Sequence, residues 1–184
     1  MHRQLRLLLL ISTFLVFAWG MFGPIYAIFV KKIGGDILDT GFSWGIYMIV
    51  SGVGIFFMGK FQDKLKREKP VLLIGYGLRC IVLLAYMFIT SIIQLFILQF
   101  LLGLSIVITV PAFDSLYTKN LKKGKFASQW AYFESIYFGA QGVAALAGAA
   151  LVKFFSFGAL FFVMFLLTLF GLILVTSIKE KNEH

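Results

Sequence analysis

Three ionisable side chains lie inside or at the edge of long apolar runs in this sequence: Arg79, Glu134 and Asp114. A charged group inside a membrane is costly, so such residues are functional candidates by default. Arg79 lies eight residues past Val71, about 12 Å deep along a helix that rises 1.5 Å per residue. Glu134 and Asp114 are expected at a similar depth from the same end. The sequence therefore predicts a charge network, which either changes during a functional cycle, with Glu134 as proton carrier, or only holds helices together.

Other kinds of reactive chemistry have few residues to support them. The two histidines are His2 and His184, at the chain ends, and Cys80 is the one cysteine. Histidine-based catalysis, a disulfide framework and a cysteine metal site are therefore not expected. The sequence contains no G-x-x-x-x-G-K-S/T, H-E-x-x-H or G-x-S-x-G motif. We expect no enzyme activity, no metal and no cofactor.

The charged residues are set in a chain that is mostly apolar. Of its 184 residues, 60% are hydrophobic and 14% are charged, and the mean hydropathy is +0.94. A soluble domain of this length needs more polar surface. The apolar residues fall in runs of about 20, the length at which a helix crosses a hydrocarbon core of about 30 Å. Because lipid cannot satisfy unpaired backbone groups and the runs lack strand-like alternation, we predict an all-α membrane protein.

Six such runs account for most of the chain, which we interpret as a single six-helix transmembrane domain, residues 1–184. The first run follows a basic start and resembles a signal peptide, but its length predicts a retained span. The predicted spans are 7–30, 42–58, 71–90, 92–113, 131–155 and 157–178.

Basic residues are distributed unevenly between the two ends of these spans. Thirteen Lys and Arg residues lie at one end, among them Arg3, Lys66 and Lys123, and three lie at the other. Cytoplasmic loops carry the excess of Lys and Arg, so both chain termini are expected in the cytoplasm. The net charge of +9 then reports topology and not a nucleic-acid partner. The expected surroundings are the lipid bilayer of the cell membrane, which the chain crosses several times.

The segment between the second and third predicted spans carries the most specific motif. Gly59 is followed four residues later by Asp63, and then by Lys64, Arg67 and Lys69. This spacing resembles the signature loop of the major facilitator superfamily, which reads Gly-x-x-x-Asp-Arg/Lys-x-Gly-Arg-Lys/Arg-Lys/Arg. The resemblance implies that these five residues form a gating loop.

The resemblance covers the whole chain, but as one half of a transporter. Gly23-Pro24 in the first span, Pro111 at the inner end of the fourth and a glycine- and alanine-rich fifth span are similar to the family's first half. Members usually have twelve spans in two six-span repeats. The resemblance therefore implies secondary transport of a small solute by alternating access, in which one half rocks against another.

Three polar residues, Tyr26, Gln99 and Gln141, lie on spans that line the central cavity in the resembling family. Each is either a hydrogen-bonded buried group or a ligand for the solute.

The sequence also departs from the family. Lys66 replaces the second glycine of the signature, the first span has no acidic residue, and Gln99 stands four residues before Gly103, where many proton-coupled members have arginine. Proton coupling by the usual route is therefore not expected.

Small residues are frequent in the second and fifth predicted spans. They let helices approach closely, either within one bundle or against another chain. A half-length chain needs a second half for alternating access, so we expect a homodimer or a pair with a different six-span protein. The candidate residues for this packing are Gly45, Gly52, Gly142 and Gly148.

Two other functions fit the same composition. The chain could be the substrate-capturing membrane subunit of a multi-component importer, and a copurifying ATPase would favour that function. It could also be a membrane interaction protein without transport activity, which transport in proteoliposomes would exclude.

Overall fold

The computed structural model describes residues 3–65 and 67–178, and the regular elements in these ranges are all helices. A short 3₁₀ turn, Gly23–Ile25, follows the first helix. The helices are α1 (Arg3–Gly20), α2 (Tyr26–Lys32), α3 (Ile37–Leu65), α4 (Lys69–Tyr86), α5 (Ile92–Lys119), α6 (Phe126–Phe154) and α7 (Phe157–Thr176).

Six helical segments in the described ranges are long and apolar enough to cross a membrane. The first, Arg3–Lys32, combines α1, the 3₁₀ turn and α2, and the other five are α3 to α7. The predicted all-α class with six membrane-capable helices is thereby confirmed. Several helices are longer than the predicted spans: α3 ends at Leu65 and not at residue 58. A helix does not stop where apolar residues stop, because its backbone hydrogen bonds are made within the segment itself.

The first span is interrupted in its second half, at Gly23–Ile25. Pro24 has no backbone N–H to donate, and the chain tightens there into the 3₁₀ turn, where the N–H of Ile25 donates to the carbonyl of Phe22 at 3.1 Å. Beside this break, α6 approaches the backbone of Met21 at Gly148, where a side chain would collide with backbone atoms. The glycine therefore allows α6 to pack directly against the interrupted segment.

The helices pack in the spatial order α3, α5, α4, α7, α1, α6, with a further contact between α6 and α7. The two helices at the ends of this row, α3 and α6, are the least buried of the six. Both present large apolar side chains on their outer faces, such as Phe56 on α3 and Leu146 on α6. These two helices therefore have the largest surfaces left for contacts outside the bundle.

Two aromatic clusters hold the two ends of the bundle. At the end that contains α2, Phe22 makes edge-to-face contacts with Tyr86 and Phe161 at centroid distances of 5.7 and 5.0 Å. At the opposite end, which we call the basic end because Lys119 and the following lysines lie there, Tyr117 packs against Phe133 at 4.9 Å. Aromatic pairs at these distances add to the stabilisation that burial provides. The region between the two clusters contains the cavity described next.

Candidate functional site

A cavity of about 240 Å³, here called the central cavity, lies between α1, α4, α5 and α6 and reaches Tyr47 of α3. It combines aromatic walls with a few polar groups, which is the composition expected of a small-molecule site. The polar and aromatic residues that line it are Ser12, Trp19, Tyr47, Tyr76, Arg79, Thr109, Phe113, Asp114, Phe133, Tyr137 and Gln141.

A larger groove of about 940 Å³ lies on the outer face, between α3 and α5. Its lining consists of apolar side chains such as Phe42 and Phe100, together with Gly41 and Gly45. None of these residues can orient a polar solute or take up a charge. The smaller central cavity is therefore the better candidate for a functional site.

Arg79 is the cation of the central cavity. Its Nε donates a hydrogen bond to Ser105 Oγ at 3.4 Å, and its guanidinium carbon lies 5.8 Å from the centre of the Tyr76 ring. Within residues 3–65 and 67–178, the ion pair is Lys119 with Glu68. The predicted pairing of Arg79 with Glu134 or Asp114 is therefore wrong for this conformation.

The helix geometry explains why that pairing fails. Ser105, the partner of Arg79, and Asp114 are nine positions apart on α5, which corresponds to roughly 14 Å along the helix axis. Glu134 is exposed and follows Phe133, a cavity residue, on α6. Glu134 lies three positions before Tyr137, another cavity residue, so it is on the same side of α6 and about one turn nearer the basic end. Phe133 packs against the residue that precedes Asp114 on α5, so Glu134 is near the level of Asp114 and not of Arg79. Arg79 and Asp114 thus line one cavity at separate levels, and Glu134 lies outside it.

Two of the predicted cavity residues form a buried hydrogen-bond chain instead. Gln99 Nε2 donates to Tyr26 Oη at 2.6 Å, Tyr26 donates to Ser43 Oγ at 2.6 Å, and Ser43 donates to the carbonyl of Asp39. All three polar side chains are buried. The chain joins α2, α3 and α5, so Tyr26 and Gln99 are hydrogen-bonded buried groups, and neither is among the residues that line the central cavity.

Gln141 is placed differently, since it lines the central cavity beside Tyr137 on α6. Its Cα and Cγ lie close to Gly20, where an added Cβ would come within 3.2 and 3.1 Å of them. Gly20 thereby lets α6 bring Gln141 up against α1. Of the three polar candidates, Gln141 is the one that the structure brings to the cavity with Arg79.

The signature segment is mostly helical, which corrects its description as a loop. Gly59, Asp63 and Lys64 lie in the last turns of α3, and the connection to α4 is short. Asp63 lines a groove of about 530 Å³ at the basic end, together with Asp114 of α5. Asp114 therefore borders both the signature groove and the central cavity.

The remaining signature residues hold helix ends together. Lys69, the first residue of α4, donates hydrogen bonds from Nζ to the carbonyls of Thr176 and Ile178, the latter at 3.0 Å. The carbonyl of Arg67 accepts from Gln62 Nε2 at 3.2 Å. Lys69 thus connects the start of α4 to the end of α7, where a cation is favourable because a helix C-terminus carries a partial negative charge.

Glu68 is the interacting residue that the sequence reasoning missed. Its carboxylate accepts hydrogen bonds from Lys119 Nζ at 2.8 Å and from Ser115 Oγ at 3.0 Å, and its side chain is 6% exposed. Burial opposes ionisation, but the bonds from Lys119 and Ser115 outweigh it, so the pKa of Glu68 is lowered. The sequence did contain a hint of this role: the signature pattern has Lys or Arg at the position where this chain has Glu68.

The four glycines predicted to pack against a partner fall into two groups. Gly45, Gly52 and Gly142 have open space where a side chain would project, so they are available for contacts outside the bundle. Gly148 is buried, and its missing side chain leaves room for the Met21 backbone. Gly148 is therefore a contact between α6 and the first span within one chain, which corrects its assignment to a partner interface.

Comparison with known proteins gives a matching family profile and several relatives that are longer than this chain. The profile of the Major Facilitator Superfamily matches residues 8–184. Multidrug resistance protein MdtG of Yersinia enterocolitica is 29% identical over 173 residues, which cover 91% of this chain and 42% of that protein. MdtG of Salmonella typhimurium is 27% identical over 185 residues, which cover 98% of this chain and 44% of that protein. The chain spans less than half the length of these relatives.

One further relative is matched over most of its own length. The uncharacterized MFS-type transporter YitZ of Bacillus subtilis is 26% identical over 149 residues. The aligned region covers 79% of this chain and 88% of YitZ. The similarity thus includes one protein of which this chain covers most of the length.

Proposed function

This chain belongs to the Major Facilitator Superfamily, a family of multi-pass membrane transporters, and on that premise we propose that it moves a small solute across the cell membrane by alternating access. The observation that carries the proposal is the central cavity. Residues of α3 and α6, the two ends of the helix row, take part in its lining. A second six-helix unit placed against α3 and α6 would close the cavity, and rocking of the two units would open it to each side in turn.

The solute class is suggested by the relatives and by the cavity walls. The MdtG relatives are described as multidrug resistance proteins. The central cavity has aromatic side chains from four helices, among them Trp19, Tyr47, Tyr76 and Phe133. Such walls suit organic molecules with apolar or aromatic parts. We therefore propose a drug-like organic solute and not an inorganic ion.

The second unit is a further copy of this chain or a different six-helix unit. A symmetric dimer would bring α3 of each copy against α6 of the other, as a twofold axis requires. Open glycine positions support this arrangement, since Gly45 and Gly52 on α3 and Gly142 on α6 allow close approach of two backbones. The two helices also have the least burial within the bundle.

Asp63 gains a role in the same arrangement. The end of α3 and the start of α6 both lie at the basic end of the bundle. A carboxylate near the N-terminus of the partner's α6 would be favourable by about 0.3–1 kcal/mol, because that end carries the positive pole of the helix dipole. Asp63 would then hold the basic end closed, and Asp63→Asn should shift the dimer towards the state that is open there.

Two measurements on reconstituted protein test the proposal. Uptake of drug-like solutes into proteoliposomes tests transport. Cysteines at Gly52 and Gly142, in a chain with Cys80 replaced by serine, should crosslink between copies in the bilayer. Gly77→Cys is a matched control, because this position is also open but lies on α4. A chain that transports while it remains monomeric in the bilayer would contradict the two-unit mechanism, whereas crosslinking to a different six-helix protein would identify the partner as that protein.

A further inference from the structure

We propose that the solute of the central cavity carries an anionic group, such as a carboxylate, sulfonate or phosphate, on an apolar or aromatic body, and that Arg79 binds this group. The inference rests on the proposed transport function and names the chemical class of the solute. It follows from the position of Arg79, from its present partners and from the walls around it.

Arg79 has few partners for a charge inside a membrane span. In the part of the chain that the structure describes, it makes one long hydrogen bond, to Ser105, and one contact with the Tyr76 ring. No carboxylate of the described residues lies within 4.0 Å of its guanidinium. A guanidinium has five N–H donors, and a desolvated charge is stable only when it is paired and hydrogen-bonded. The side chain therefore retains most of its capacity to bind an anion.

Asp114 does not neutralise Arg79 from its own place in the cavity. It lies roughly 14 Å along α5 from the level of Ser105, towards the basic end. It also borders the groove that contains Asp63, so it stands at the margin of the central cavity. Coulomb attraction falls with distance and with water in the path. An anionic group that enters at the level of Arg79 would be much closer to it than Asp114 is.

The rest of the cavity fits the body of such a solute. Trp19, Tyr47 and Tyr137 provide aromatic surface, and Gln141 provides an amide that can donate or accept a hydrogen bond. The planar fork of arginine matches the two oxygens of a carboxylate or sulfonate, and such charge-assisted bonds are stronger than neutral ones. A single cation beside aromatic walls thus indicates an amphiphilic anion.

Three probes with the same ring test the charge preference: naphthoate, naphthylmethylammonium and naphthylmethanol. Binding to the purified full chain is measured by calorimetry, and uptake is measured in proteoliposomes. We expect the unmodified chain to bind naphthoate about tenfold or more tightly than the other two probes. Arg79→Gln should remove this preference, and Arg79→Lys should keep part of it because the charge remains without the planar fork.

A second variant leaves Arg79 in place, in case its replacement prevents folding. Gln141→Glu adds a carboxylate to the same cavity as an internal counter-ion, so it should abolish the preference for naphthoate. Gln94→Glu is the matched control, since Gln94 is exposed at the start of α5, outside the cavity, and its Oε1 can still accept from the N–H of Thr90. The control should bind the three probes as the unmodified chain does.

The results separate this inference from the proposed function. Equal binding of the three probes, or tighter binding of the ammonium probe, by the unmodified chain would overturn the anion inference, and uptake would still support transport. A preference for naphthoate that persists in both Arg79→Gln and Gln141→Glu would also overturn it. Selective binding of naphthoate without uptake of any probe would support the anion site and contradict the transport function.

Discussion

A methyl group added at Gly148 is the sharpest probe of how the interrupted first span packs against α6. In Gly148→Ala, the new Cβ would lie 2.7 Å from both the carbonyl carbon and the Cα of Met21, and it would also collide with the carbonyl oxygen. Because these are backbone atoms, they cannot rotate away. The carbonyl oxygen is the nearest of the three atoms, so α6 would have to retreat by more than about 1 Å to restore an ordinary contact.

The expected cost follows from this geometry. Overpacking a close-packed interior costs about 1–3 kcal/mol, and a rigid obstacle places Gly148→Ala at about 2–3 kcal/mol. Gly77→Ala is the control, because nothing lies within 4 Å of its added Cβ. The control should leave the protein as stable as before or more stable by up to about 1 kcal/mol, because alanine favours a helix more than glycine does. Reversible unfolding in detergent, followed by tryptophan fluorescence, measures both variants.

A double variant distinguishes backbone from side chain as the obstacle. If the Met21 backbone blocks the methyl group, Met21→Ala should not relieve Gly148→Ala, and the two losses should at least add. Relief by Met21→Ala would show that the side chain is the obstacle. A Gly148→Ala variant as stable as Gly77→Ala would refute the close approach of α6 to the first span.

Three further predictions concern the charged residues. Glu68→Gln should lower stability by about 1.5–3 kcal/mol at neutral pH. Because its partners lower the pKa of Glu68, this loss should persist above the ordinary glutamate pKa and vanish as the pH falls through the lowered value, in thermal unfolding across acid pH. Arg79→Gln and Glu134→Gln should have additive effects on stability, within about 0.5 kcal/mol, and a larger coupling would reveal an ion pair between them. Lys123→Cys, with Cys80 replaced by serine, should be protected from an impermeant thiol reagent outside intact cells, and ready labelling would contradict the predicted topology.

Helix class and number could be read from the sequence, because they depend on local and additive properties. A run of about 20 apolar residues has to be helical in lipid, whatever its neighbours are. The spacing from Gly59 to Asp63 and the family it indicates are also local, and the family profile confirms the membership. The helix ends were less predictable, since α3 continues to Leu65 beyond its apolar run.

Side-chain partners could not be read from the sequence, because they depend on distance and direction across helices. Equal estimated depth suggested an ion pair for Arg79, but the packing of the helices sets the level of each residue. Phe133, beside Glu134, packs against Phe113, beside Asp114, so Glu134 lies near the level of Asp114, and Arg79 is left with Ser105 of α5. Tyr26 and Gln99 likewise form hydrogen bonds with each other and, through Tyr26, with Ser43, and they do not line the cavity.

The glycines show most clearly the difference between what the sequence predicts and what the helix packing decides. Composition alone identified Gly45, Gly52, Gly142 and Gly148 as sites of close helix approach, because a missing side chain allows it at any of them. Only the tertiary structure separated them: Gly148 faces the Met21 backbone, and the other three face open space. The sequence determined where helices can come close, and the packing of six helices around an interrupted first span decided which of these sites the chain uses itself.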